Sequence, residues 1–131
     1  MKIERVELYE LAVPPIAIVA KYLPNIFNLT IVRILTDEGL VGVGEVSLHP
    51  PYLEERAASY IGQDPLALDP LAELDPFACA LLDIAAQVCG VPMYRFFGEK
   101  VRPRVPVSYW SRPMEPHETA AEAAVGARLG F

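Results

Sequence analysis

The stretch 75–98, DPFACALLDIAAQVCGVPMYRFFG, constrains this chain more than any other. Phe77, Leu81, Ile84 and Val88 recur at helical spacing, and Leu82, Ala85 and Cys89 widen the stripe until only Asp83 and Gln87 interrupt it. A helix with so little polarity demands cover on almost every side. Asp75 fits its N-cap and Pro76 its first position, where the missing N–H would be unpaired in any case. Gly90 supplies the stop. Pro92 then bars the helix from resuming at once, and Met93, Tyr94, Phe96 and Phe97 carry the apolar content into a second short turn that Gly98 closes.

The segments before it can supply that cover. Residues 2–11, KIERVELYEL, alternate imperfectly, with Val6 and Leu8 on one face and Tyr9 and Leu11 on the other, which predicts an edge strand. In 29–46, two β-branched runs flank Asp37-Glu38-Gly39, a hairpin turn with Gly where positive φ is needed. Gly42 and Gly44 fall on the same face of the second strand and leave a bare track along which a helix or another backbone can approach. A phosphate-binding reading of this GxG requires a helix directly after it, and none follows: 45–51, EVSLHPP, runs on as strand end and loop. Pro51 opens a helix through Tyr60 with Gly62 as its stop, and 66–74 offers only short turns. Three strands followed by helices predict an α+β fold, a three-stranded antiparallel sheet with helices packed on it. Between the first strand and the hairpin, 14–28 has no period, yet Ile16, Ile18, Tyr22, Leu23, Ile26 and Phe27 make it apolar. It reads as a long loop, either a lid or a segment packed on its own domain's flank.

After Gly98 the character changes. Residues 99–104, EKVRPR, form a charged, proline-bearing link, so 1–100 and 101–131 are expected to be separate units. In the second, 105–110 reads as a strand and Pro116 opens an alanine-rich helix that ends at Gly130. A strand, loop and helix make two thirds of a βαβ unit whose parallel strand this sequence does not contain.

Charge and motif content narrow the function. The net charge is −6, and no Lys/Arg run forms a patch able to neutralise phosphates, which argues against nucleic acid as a partner. The opening MKIERVELYE lacks a signal peptide's apolar region, and Pro14 and Pro15 break the longest apolar run, so a cytoplasmic protein without membrane contact is expected. Cys79 and Cys89, ten positions apart on one helix, would lie roughly 15 Å from each other and are expected to be buried, unpaired packing residues. HExxH, CxxC, GxSxG and Walker patterns do not occur. His117 falls in a helix's first turn, where imidazoles are solvated; His49 falls in a loop between strand and helix and is the better site candidate. Asp83 is expected on a solvated face beside Gln87.

Several segments, taken in order, resemble the amino-terminal half of the mandelate racemase and muconate lactonizing enzyme branch of the enolase superfamily. They are KIERVELYEL, LTIVRILTDEGLVGVGEVS, FACALLDIAAQVCGVPMYRFFGEKVRPRVPV and PHETAAEAAVGARLGF, and the third is the most specific. The resemblance implies an α+β capping domain followed by the first β-α unit of a TIM-type barrel that, when complete, holds one Mg²⁺. The shared chemistry is abstraction of a proton α to a carboxylate, leading to racemisation, dehydration or cycloisomerisation. Two cap loops close the barrel mouth in that family, and by position they match 16–27 and 47–52. The resemblance therefore assigns substrate contact to Ile16, Ile18, Lys21, Tyr22, Ser47, His49 and Tyr52, with a small carboxylate as substrate of the complete enzyme.

The family's catalytic lysines and carboxylate metal ligands lie on later barrel strands, so no catalytic or metal residue is expected in this sequence, and the barrel would be its missing partner. The stretch between Glu45 and Pro76 has room for only one full helix. An amino-terminal portion of such an enzyme, inactive alone and with 105–131 either self-associating or fraying, is the expectation. The alternatives are a stand-alone binding or regulatory module and one chain of a split enzyme.

Overall fold

The hairpin forms where the turn residues direct it. In the computed structural model, which describes residues 1–23, 28–70 and 76–131, β1 (Ile3–Ala12), β2 (Asn28–Thr36) and β3 (Val41–Ser47) make an antiparallel sheet in the order β1-β2-β3. Gly39 takes φ +85°, while the Thr36 amide donates to Leu40 O at 3.0 Å and the Leu40 amide to Thr36 Oγ1 at 3.0 Å. Period-2 alternation then sorts β2 into faces, burying Thr30, Val32, Ile34 and Thr36 on one side. On the other, Arg33 Nη1 donates to Glu7 Oε2 at 2.8 Å, beside the exposed Tyr9, Leu11 and Val43.

The buried face is covered by α3 (Pro76–Cys89), the helix that organises the sequence. Register places Gly42 opposite Ile34 and Gly44 opposite Val32, so both glycines face this helix. A Cβ on Gly42 would overlap the Ala80 carbonyl oxygen and one on Gly44 the Pro76 carbonyl oxygen; the helix backbone lies directly on the strand. Phe77, Ala80, Leu81 and Ile84 form the core with Ile3, Val32 and Ile34. Each large side chain buried there contributes about 1.5–3 kcal/mol. The helix α2 (Leu53–Tyr60) adds Leu53, Ala57 and Tyr60, whose ring lies 5.0 Å from that of Phe77. The Gly62 amide donates to Ile3 O at 2.8 Å and the Ile3 amide to Gln63 O at 2.9 Å, which ties the exit of α2 to β1. Among the described residues, α2 is the one helix between β3 and α3, as its length allows.

Several expectations need correction. Asp83 and Gln87 do not pair with each other: Asp83 Oδ2 accepts from the Val43 amide at 3.2 Å, and Gln87 Nε2 donates to Val41 O at 2.7 Å. The helix thus satisfies the free edge of β3, where backbone groups would otherwise await another strand. Cys79, Val88 and Cys89 are exposed, because the sheet meets only one stripe of α3. Met93–Phe97 forms the expected short turn, a 3₁₀ helix, but its aromatic side chains are exposed. In the supposed loop 14–28, Ala17–Tyr22 is a helix, α1, started by the Val19 and Ala20 amides donating to Ile16 O. Its six residues are too few for an apolar period to register. Asp75, Pro24, Ile26, Phe27 and 71–74 lie outside the described residues.

The chain divides into two compact units, Met1–Glu99 and Lys100–Phe131. In the second, α4 (Pro116–Leu129) starts at its proline and stops at Gly130 with φ +89°. Tyr109 Oη donates to Glu122 Oε2 at 2.9 Å, its ring lies against Gly126, and Phe131 meets it edge-on at 5.6 Å. The strand expected at 105–110 does not form a ladder, and Val105 and Val107 are 70% and 72% exposed. A parallel strand takes its hydrogen bonds from neighbours on either side, and a helix cannot supply them.

Candidate substrate-capping loops

Strand register brings two loops to one end of the sheet. Ala12 pairs with Asn28 and Leu29 with Ser47, so the segment leaving β1 and the segment leaving β3 start from the same end of the sheet, on either side of the start of β2. An open recess of about 270 Å³ lies there, lined by Glu10, Leu11, Ala12, Asn28, Leu29, Thr30, Leu48 and His49.

Of the residues expected to contact substrate, Ser47 ends β3 and is exposed, and His49 follows two positions on, half-buried in the recess wall. Tyr52 is the exposed N-cap residue of α2. The first loop places Ile16 at the exposed start of α1, with Ile18 and Tyr22 half-buried and Lys21 over the Tyr22 ring at 4.9 Å. The recess therefore gathers His49, and α1 carries Ile18, Lys21 and Tyr22 as a separate group.

Around His49 the structure adds residues that the sequence reading passed over. Thr30 Oγ1 lies 3.2 Å from Nδ1 and donates to Leu48 O at 2.8 Å. Glu10 Oε1 stands 3.8 Å from Nδ1 and Glu54 Oε1 3.8 Å from Nε2. Leu48 is the one non-glycine residue with positive φ among those described, at +64°. A threonine on the buried face of β2 was the available signal, since a buried hydroxyl needs partners.

The arrangement suits binding through apolar surface and one imidazole. It does not fit Mg²⁺, which takes several hard oxygen ligands. Glu10 and Glu54 flank the imidazole from opposite sides, and the described residues contain no group of three or more His, Cys, Asp or Glu able to hold a metal ion. No helix among the described residues is long and apolar enough to cross a membrane.

A three-stranded sheet, a helix laid along its glycine track and two loops at one end define an enolase-type capping domain. No family model matches the chain. It is similar to the D-galactonate dehydratase family member RspA of Halomonas elongata, at 31% identity along 104 aligned residues covering 61% of this chain and 26% of that protein. Among solved structures it is similar to the dipeptide epimerase of Cytophaga hutchinsonii, a complex with Mg and the dipeptide D-Ala-L-Val. That TM-score is 0.76 at 27% identity, over 100% of this chain and 42% of that one. A mandelate racemase/muconate lactonizing enzyme of Roseovarius nubinhibens shares the fold, with TM-score 0.69 at 24% identity, over 99% of this chain and 43% of that one. The fold is that of enolase-superfamily structures, mandelate racemase/muconate lactonizing enzymes among them, and the curated sequences that the chain resembles are D-galactonate dehydratase family members. The chain spans about a quarter of the curated relative and about two fifths of the solved structures.

Proposed function

We propose that these residues form the substrate-capping part of a Mg²⁺-dependent mandelate racemase or muconate lactonizing type of enzyme acting on a small carboxylate. Residues 1–100 are the cap, and 101–131 contribute the first strand and helix of a barrel. The observation that supports this reading is that the segments following Ala12 and Ser47 leave from one end of the sheet, where the recess holds His49. Ile16, Ile18 and Tyr22 offer apolar contact, Lys21 a cation, and Ser47, His49 and Tyr52 polar groups. These are chemistries for choosing a substrate, whereas proton abstraction and metal binding belong to the barrel. The chain alone is therefore inactive.

A chimera tests this. Replacing the amino-terminal part of a D-galactonate dehydratase family relative with this chain should keep Mg²⁺-dependent proton abstraction while changing which carboxylates are turned over. Substituting Tyr22 or His49 by Ala in the chimera should alter KM ratios between substrates. Unchanged substrate preference, or turnover of carboxylates by the 131-residue chain alone, would contradict the proposal.

A further inference from the structure

We infer that Thr30 is the positioning residue of this loop, holding His49 in the Nδ1–H tautomer so that neutral Nε2 is an acceptor. The inference rests on reading 47–52 as a substrate-capping loop. Thr30 is fully buried, and its hydroxyl has one hydrogen. Leu48 O can only accept, so the 2.8 Å contact uses that hydrogen. The remaining 3.2 Å contact to Nδ1 is then a hydrogen bond only if Nδ1 carries the proton. Glu10 Oε1 and Glu54 Oε1 stand at the same 3.8 Å from Nδ1 and Nε2 and oppose each other, so the shorter Thr30 contact decides the tautomer. Free imidazole in water prefers the opposite tautomer, so the protein must impose this one.

The consequence concerns ligand chemistry. Neutral His49 would present the Nε2 lone pair on the side of Glu54. A lone pair beside the Glu54 carboxylate invites a hydroxyl or ammonium donor that both can accept from, and disfavours a second carboxylate. The same Thr30 hydroxyl bonds the carbonyl of Leu48, the residue held at φ +64°, so tautomer and loop conformation share one support.

Long-range ¹H–¹⁵N spectra of the ligand-free chain, recorded well above the ordinary imidazole pKa, read the tautomer directly, with His49→Gln separating its signals from those of His117. Wild type and Thr30→Ser should show the Nδ1–H pattern, while Thr30→Val should convert most of the population to Nε2–H. Glu10→Gln should leave the pattern unchanged. An Nε2–H pattern in the wild type overturns the inference whether or not Thr30→Val folds, and so does a switch caused by Glu10→Gln but not by Thr30→Val. Because no ligand is present, this result is independent of the chimera's outcome. Failure here removes the positioning role and leaves the capping proposal standing.

Discussion

Gly42→Ala should destabilise the first unit by about 2 kcal/mol. The added Cβ would overlap the Ala80 carbonyl oxygen and approach Ile84 Cγ1 to 2.8 Å. The chief obstacle is helix backbone, so no rotamer change relieves it, and α3 must lift from β3. Overpacking of this kind costs typically 1–3 kcal/mol, and a backbone obstacle argues for about 3. Restricting the unfolded chain by replacing glycine returns about 0.4–1 kcal/mol, which leaves about 2. For a domain of this size each kcal/mol lowers Tm by roughly 4–8 °C, so a fall of about 8–16 °C is expected. Thermal and urea melts of Gly42→Ala beside Val43→Ala, whose side chain points to the other face, provide the assay. Gly44→Ala should behave alike, and the double variant should cost less than the sum, because the first substitution already lifts the helix. A Gly42→Ala protein within about 0.5 kcal/mol of wild type, the usual scatter for a surface change, would refute the reasoning that α3 lies on bare strand.

Asp83→Ala and Gln87→Ala should each cost about 1 kcal/mol, and together they should promote self-association through the freed edge of β3, read by light scattering; a stable, strictly monomeric double variant contradicts the edge role. Cys79 and Cys89 should react with a thiol reagent in the folded protein nearly as fast as in the unfolded one, since both are exposed; slow labelling would mean that a further layer covers α3. The Met1 ammonium lies 3.2 Å from Glu38 Oε1, and the hydrogen bond and charge of Glu38 raise its pKa above 8.0. Its stabilising contribution is then complete below pH 8.0 and fades as pH climbs through the raised folded value. Glu38→Gln should lower that pKa and weaken this pH dependence, leaving the smaller effect of Asp37 and Asp64, as urea melts on either side of pH 8.0 will show.

Local chemistry is what made most of the cap legible in the sequence. The Asp37-Glu38-Gly39 turn, the alternation of β2, the start of α3 at Pro76 and its stop at Gly90 each depend on a few neighbouring residues. The glycine track was legible as well, because two missing side chains on one strand face announce a close approach without naming what approaches. Residues 16–27 and 47–52 were matched to capping loops by family resemblance, and the register pairs Ala12–Asn28 and Leu29–Ser47 place the ends of β1 and β3, from which the chain leaves toward them, at one end of the sheet. Other features depended on partners distant in sequence. An apolar helix pattern counts hydrophobic positions but cannot tell which of them meets a layer, so Cys79, Val88 and Cys89 were expected inside and lie outside. The Thr30–His49 contact spans 19 residues and exists only because β2 and β3 pair in one register. The pattern at 105–110 is that of a strand, yet a strand is a relation between segments: its backbone hydrogen bonds belong to its neighbours, and only tertiary structure decides whether those are present.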